Sequence, residues 1–125
     1  MGLKLWWAVS TITLLVFVPP ALGVDYANKV KLDRKDVYAC AAQHLHIPGY
    51  AKNTADVTLT GIQVEGRVFD KEGHLLATKV VSVMAQELPP GESAAFDMEF
   101  VEITQPNFGK VGDIVLKVVQ ALPKP

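Results

Sequence analysis

Apolar and polar residues alternate with a period of two along most of the chain. Leu45, Ile47, Gly49 and Ala51 interleave with His44, His46, Pro48, Tyr50 and Lys52, up to the turn-forming cluster Asn53-Thr54-Ala55-Asp56. The pattern is sharpest over residues 62–68. There Ile62, Val64, Gly66 and Val68 fall on one side and Gln63, Glu65 and Arg67 on the other, as on a sheet with one wet face. Asp70-Lys71-Glu72-Gly73 has the residues of a type I turn, so this stretch and the Val- and Thr-rich residues 75–84 predict a hairpin. The prolines of Leu88-Pro89-Pro90-Gly91-Glu92 exclude both helix and central strand. Ala94, Phe96, Met98 and Phe100 then alternate with Ala95, Asp97, Glu99 and Val101, which assigns Asp97 and Glu99 to a solvated face. Residues 105–109 read as a loop, residues 114–119 as a final strand buried on both faces, and residues 121–125 as a frayed tail.

Residues 24–44 form an N-terminal extension or a first strand. The alanines of 36–43 favour a short helix, whereas the shared parity of Val37, Ala39, Ala41 and Leu45 favours a strand running into the next one. Five or more antiparallel strands between regularly spaced turns predict an all-β, immunoglobulin-like antiparallel β-sandwich over residues 45–120.

The beginning of the chain obeys a different pattern. Lys4 precedes an apolar run over residues 5–18, followed by Pro19-Pro20 and the small residues Ala21 and Gly23. This is the layout of a cleavable signal peptide over residues 1–23, since a spanning helix needs about 20 apolar residues and the prolines cut the run short. The expectation is an exported protein, periplasmic or secreted, with no membrane span after cleavage. Val37-Tyr38-Ala39-Cys40 is no lipobox, because charged residues separate it from the apolar run. The formal charge of -1 and the lack of a basic-aromatic stripe argue against nucleic acid. One cysteine excludes an intramolecular disulfide and any multi-cysteine zinc or iron–sulfur centre.

Asn53-Thr54, residues 62–68, Val68-Phe69-Asp70, Lys71-Glu72-Gly73, Leu88-Pro89-Pro90-Gly91-Glu92-Ser93 and Phe96 together resemble the layout of FxLYD-type domains, immunoglobulin-like sandwiches of exported prokaryotic proteins. The chain departs from that layout at Gly66, which stands where the leading aromatic is expected, and at Phe69, which replaces the tyrosine. Late-embryogenesis-abundant-like sandwich domains are similar in architecture. The resemblance implies a fold and brings no catalytic residues with it.

Candidate chemistry is sparse. Cys40, His44 and His46 are the one group with ligand character. On a single extended strand Cys40 and His44 would lie about 13 Å apart, too far to share an ion without a bend. The favoured reading is therefore two exposed histidines beside a buried cysteine, with no metal and no cofactor. No serine sits in a nucleophile elbow, no glycine-rich phosphate loop follows a strand, and no catalytic constellation is found, so the chain does not read as an enzyme. The expected function is a non-catalytic module that binds an unknown envelope protein. The candidate contacts lie in loops 53–56, 71–74 and 105–110, with Phe108, Asn107, Lys71 and His74 in front. A small metal-binding or redox-handling protein using His44, His46 and Cys40 is the alternative.

Overall fold

In the computed structural model, which describes residues 25–125, the chain forms an antiparallel two-sheet β-sandwich. The proposed signal segment lies outside the described residues. The strands in chain order are β1 (Val30–Arg34), β2 (Tyr38–Ala39), β3 (His44–Asn53), β4 (Leu59–Asp70), β5 (Leu75–Ser82), β6 (Glu87–Leu88), β7 (Ser93–Thr104) and β8 (Val111–Pro123). In the first sheet β3 is central, with β7 along one edge and β1 and β2 end to end along the other. In the second sheet β4 is central, with β8 on one side and β5 and β6 on the other. No helix among the described residues is long and apolar enough to cross a membrane.

The period-two alternation sets which side chains meet between the sheets. Leu45, Ile47 and Ala51 of β3 and Ala94, Phe96, Met98 and Phe100 of β7 face Leu59, Ile62, Val64 and Val68 of β4, all buried. Gly66 explains the departure from the FxLYD layout. A Cβ there would lie 2.4 Å from Met98 Sδ, so the space an aromatic would need is filled from the opposite sheet. The turn after β4 forms as its residues predict. Gly73 N donates to Asp70 O at 3.0 Å, Gly73 takes φ +88°, and Asp70 Oδ1 accepts from the amides of Glu72 and His74.

Three expectations are corrected. Strand β8 is not buried on both faces: it pairs with β4 alone and is an edge strand, with Val115, Lys117 and Leu122 exposed. A continuous apolar run does not distinguish these situations. Residues 121–125 are not a frayed tail. Ala121 is fully buried, its carbonyl accepts from Tyr26 N at 2.8 Å, and Lys124 N donates to Thr58 O. Of the extension 24–44, the described residues 25–44 are neither helix nor one continuous strand. A 3-10 turn (Ala27–Lys29) leads into β1, and β2 is joined to β3 by a tight turn in which Gln43 N donates to Cys40 O and Gln43 takes φ +64°.

Asn53, at the end of β3, is the buried polar residue of the described core. Its Nδ2 donates to the carbonyls of Val57 and Leu88, and its Oδ1 accepts from Ala55 N, each at 2.8 Å. Its backbone N–H donates to Glu92 O and its carbonyl accepts from Gly91 N. One residue thus ties the crossover to β4 and the β6 strand through its side chain, and the turn entering β7 through its main chain. Asn53→Ala strands two carbonyls and an amide in a dry site. We expect a loss of about 2–4 kcal/mol in urea unfolding; a change below about 0.5 kcal/mol would contradict this role.

Candidate functional site

The outer face of the first sheet carries a row of polar side chains whose neighbours are set by register. The β2–β3 pairing puts Tyr38 opposite His46, and the β3–β7 pairing puts Glu99 opposite His46 and Asp97 opposite Pro48. The turn after β2 brings Cys40 back beside His44, with Cys40 N donating to His44 O at 3.3 Å. This turn is the bend that an extended strand lacks, so the separation expected between Cys40 and His44 does not occur. The register breaks between His44 and Leu45, where residues 101–103 of β7 are left unpaired, so His44 pairs with Thr104 and not with a residue next to Phe100.

His46 is the centre of the group. Its side chain is only 12% exposed, and His44 and Cys40 are both half-buried, so neither the exposed histidines nor the buried cysteine of the sequence reading is found. Nδ1–H donates to both Asp97 oxygens, at 3.1 and 3.0 Å. Tyr38 donates its hydroxyl to Asp97 Oδ2 at 2.7 Å and stacks on the imidazole, with ring centroids 4.7 Å apart. These contacts fix both the ring plane and the tautomer. Nε2 is then left buried without a hydrogen-bond partner, 3.7 Å from Glu99 Oε2. Cys40 Sγ lies 3.8 Å from the same oxygen. Glu99 also accepts from His44 Nδ1 at 2.7 Å.

The ligand atoms of Cys40, His46 and Glu99 all lie within 4.8 Å of one another. A tetrahedral ion with bonds of about 2.3 Å to sulfur and about 2.0 Å to nitrogen or oxygen holds its ligand atoms about 3.3–3.6 Å apart. The two spacings to Glu99 Oε2 are within a few tenths of an ångström of that. A thiolate and a carboxylate also supply the charge a divalent cation needs, and Asp97 stands behind the histidine as the carboxylates of metal-bound histidines do. The residues present therefore fit a transition-metal ion.

Charge is distributed accordingly. A hydrogen bond from the His44 backbone holds the Cys40 thiol below its ordinary value against burial, and His46 adds to this. Burial pulls the His46 imidazole down, but its bond to Asp97 and the negative charge of Asp97 and Cys40 outweigh burial and raise it. The hydrogen bond from His44 holds the Glu99 carboxyl below its ordinary value. The raised imidazole adds stability below its unfolded value, lost as pH rises through the folded one. The lowered carboxyl adds stability above its unfolded value, lost as pH falls through the folded one.

The other candidates lie elsewhere. Phe108 is half-buried against the core within a 3-10 helix (Gln105–Lys110), so it is a covering residue and no free anchor. Asn107 beside it is exposed and donates to Thr104 Oγ1 at 3.5 Å. Lys71 and His74 are exposed in the β4–β5 turn, where His74 Nδ1 lies 3.4 Å from Asp70 Oδ2. In loop 53–56 Asn53 is a core residue. Sequence reasoning missed Tyr38, Asp97 and Glu99 as members of the site. The available signal was a His-x-His on one strand and an Asp-x-Glu on another, and only register shows that they face each other.

If Asp97 holds the imidazole, Asp97→Asn removes the charge that opposes burial. The His46 pKa, followed by NMR of its ring protons, should then move down. A pKa unchanged or raised would show that Asp97 does not set it.

No family model matches the chain, and no curated protein matches it. Two solved structures are similar to it. A DUF1425 family member from Shewanella sp. pv-4 is 15% identical, with a TM-score of 0.48, over 76% of this chain and 81% of that one. The structural-genomics target SoR45 is 10% identical, with a TM-score of 0.39, over 79% of this chain and 89% of that one.

Proposed function

We propose that the protein is an exported, non-catalytic β-sandwich module that works by binding, and that its ligand is a divalent transition-metal ion held by Cys40, His46 and Glu99. The observation that carries this reading is His46 Nε2, buried without a partner beside the Cys40 sulfur and Glu99 oxygen while Asp97 holds Nδ1. A structural histidine gains nothing from an orphaned ring nitrogen, because an unmade buried hydrogen bond costs about 1–3 kcal/mol. A ligand histidine needs that nitrogen free. The donor set of thiolate, imidazole and carboxylate suits a borderline ion such as zinc rather than calcium or magnesium, which take oxygen alone.

The signal-like segment supports export, and the FxLYD-type resemblance, which implies no activity, supports a binding role. An envelope protein remains a partner for the same module. Strand β5 pairs on one side only and leaves Leu75, Leu76 and Val80 exposed, an edge suited to strand addition.

Calorimetric titration of the reduced chain with zinc should show one equivalent bound, with release of the Cys40 thiol proton. His46→Ala and Cys40→Ser should abolish this uptake, and Asp97→Asn should weaken it about 10–100-fold. Urea unfolding of each apo variant reports whether the sandwich survives. Absence of saturable uptake by the folded wild-type chain would overturn the reading.

A further inference from the structure

The geometry points to a metal site with three ligands from this chain and a fourth position that accepts an imidazole nitrogen brought by another molecule. This rests on the metal reading above and adds what completes the coordination.

Among the described residues Cys40, His46 and Glu99 are the donors on this face whose ligand atoms lie within mutual reach. Zinc takes four ligands in a tetrahedron. The remaining polar groups nearby are committed elsewhere. Asp97 accepts from His46 Nδ1 and from the Tyr38 hydroxyl. His44, beyond the register break, donates Nδ1 to Glu99 Oε2 and stays outside the ligand group. The site lies on the outer face of the sheet, and the Glu99 side chain is 42% exposed, so the missing direction opens to solvent. A closed structural site has four protein ligands, whereas a site with three exchanges its fourth.

Charge selects the incoming donor. A thiolate and a carboxylate already neutralise a divalent ion, and the Asp97 carboxylate stands just behind His46. A second thiolate or carboxylate would place surplus negative charge beside Asp97 in a partly desolvated site. A neutral imidazole completes the tetrahedron without that cost and is a favoured zinc donor. Such imidazole comes free in solution or as a histidine side chain of another protein.

Cobalt(II) replaces zinc as a coloured probe. The full chain is loaded with cobalt, then titrated with free imidazole, with a short histidine-containing peptide, and with the same peptide carrying alanine. We expect a sulfur-to-cobalt charge-transfer band on loading. Imidazole should then shift the visible d–d bands saturably while the charge-transfer band is retained. The histidine peptide should give the same shift if a protein side chain can enter, and no shift if only a free small molecule fits; the alanine peptide should give none. His44→Ala, once loaded with cobalt, should still show the imidazole shift. Bands that stay fixed in the wild type but move in His44→Ala would show that His44 closes the site and would overturn the inference. Bands fixed in both, or loss of the charge-transfer band as imidazole strips the metal, would also overturn it. Absence of the charge-transfer band on loading would defeat the metal reading itself.

Discussion

The pairing of β3 with β7 in one register is the constraint on which the rest of this structure depends. Side chains alternate faces along a strand, so a slip of one residue would turn every inward residue outward. In the observed register Leu45 meets Phe100, Ile47 meets Met98 and Gly49 meets Phe96 inside the sandwich. The same pairing puts His46 against Glu99 outside. Core and candidate site are thus two faces of one set of hydrogen bonds. Gly49 helps to hold the register, since a Cβ there would lie 2.5 Å from the Phe96 ring and 2.8 Å from Asp33 O. Asn53 closes the far end by bonding, through its main chain, to the turn that starts β7.

That link between the faces explains why a polar group of this kind persists on a sheet surface. Tyr38, His46 and Asp97 form a hydrogen-bonded and stacked unit built across three strands, and β2 contributes little else. A two-residue strand with both residues exposed has little burial to hold it in place. Its docking relies on the contacts of Tyr38 and the turn at Cys40, so the segment that completes the site is also held by the site.

The sequence made the core legible and left the site mostly hidden. Period-two alternation placed the inward residues of β3, β4 and β7, because burial of one sheet face leaves that imprint directly. The turns at Asp70 and Pro89 were legible because few residues tolerate their backbone angles. What alternation does not report is which strand lies next to which. Asp97 and Glu99 therefore read as a solvated face, which they are, but without the histidines that face them, and β8 reads as a buried strand. The bend at Cys40 was hidden for another reason: it rests on Gln43 at positive φ, a conformation uncommon for a residue other than glycine. That turn brings Cys40 back beside His46, which the β3–β7 pairing already sets against Glu99.

The central claim is that thiolate, imidazole and carboxylate from one turn and two strands converge on one ion, and X-ray absorption at the zinc edge tests it most directly. The account predicts a first shell of one sulfur at about 2.3 Å and two or three nitrogen or oxygen atoms at about 2.0–2.1 Å. The sulfur should be lost in Cys40→Ser. A shell of oxygen and nitrogen atoms alone in the wild-type chain would contradict it.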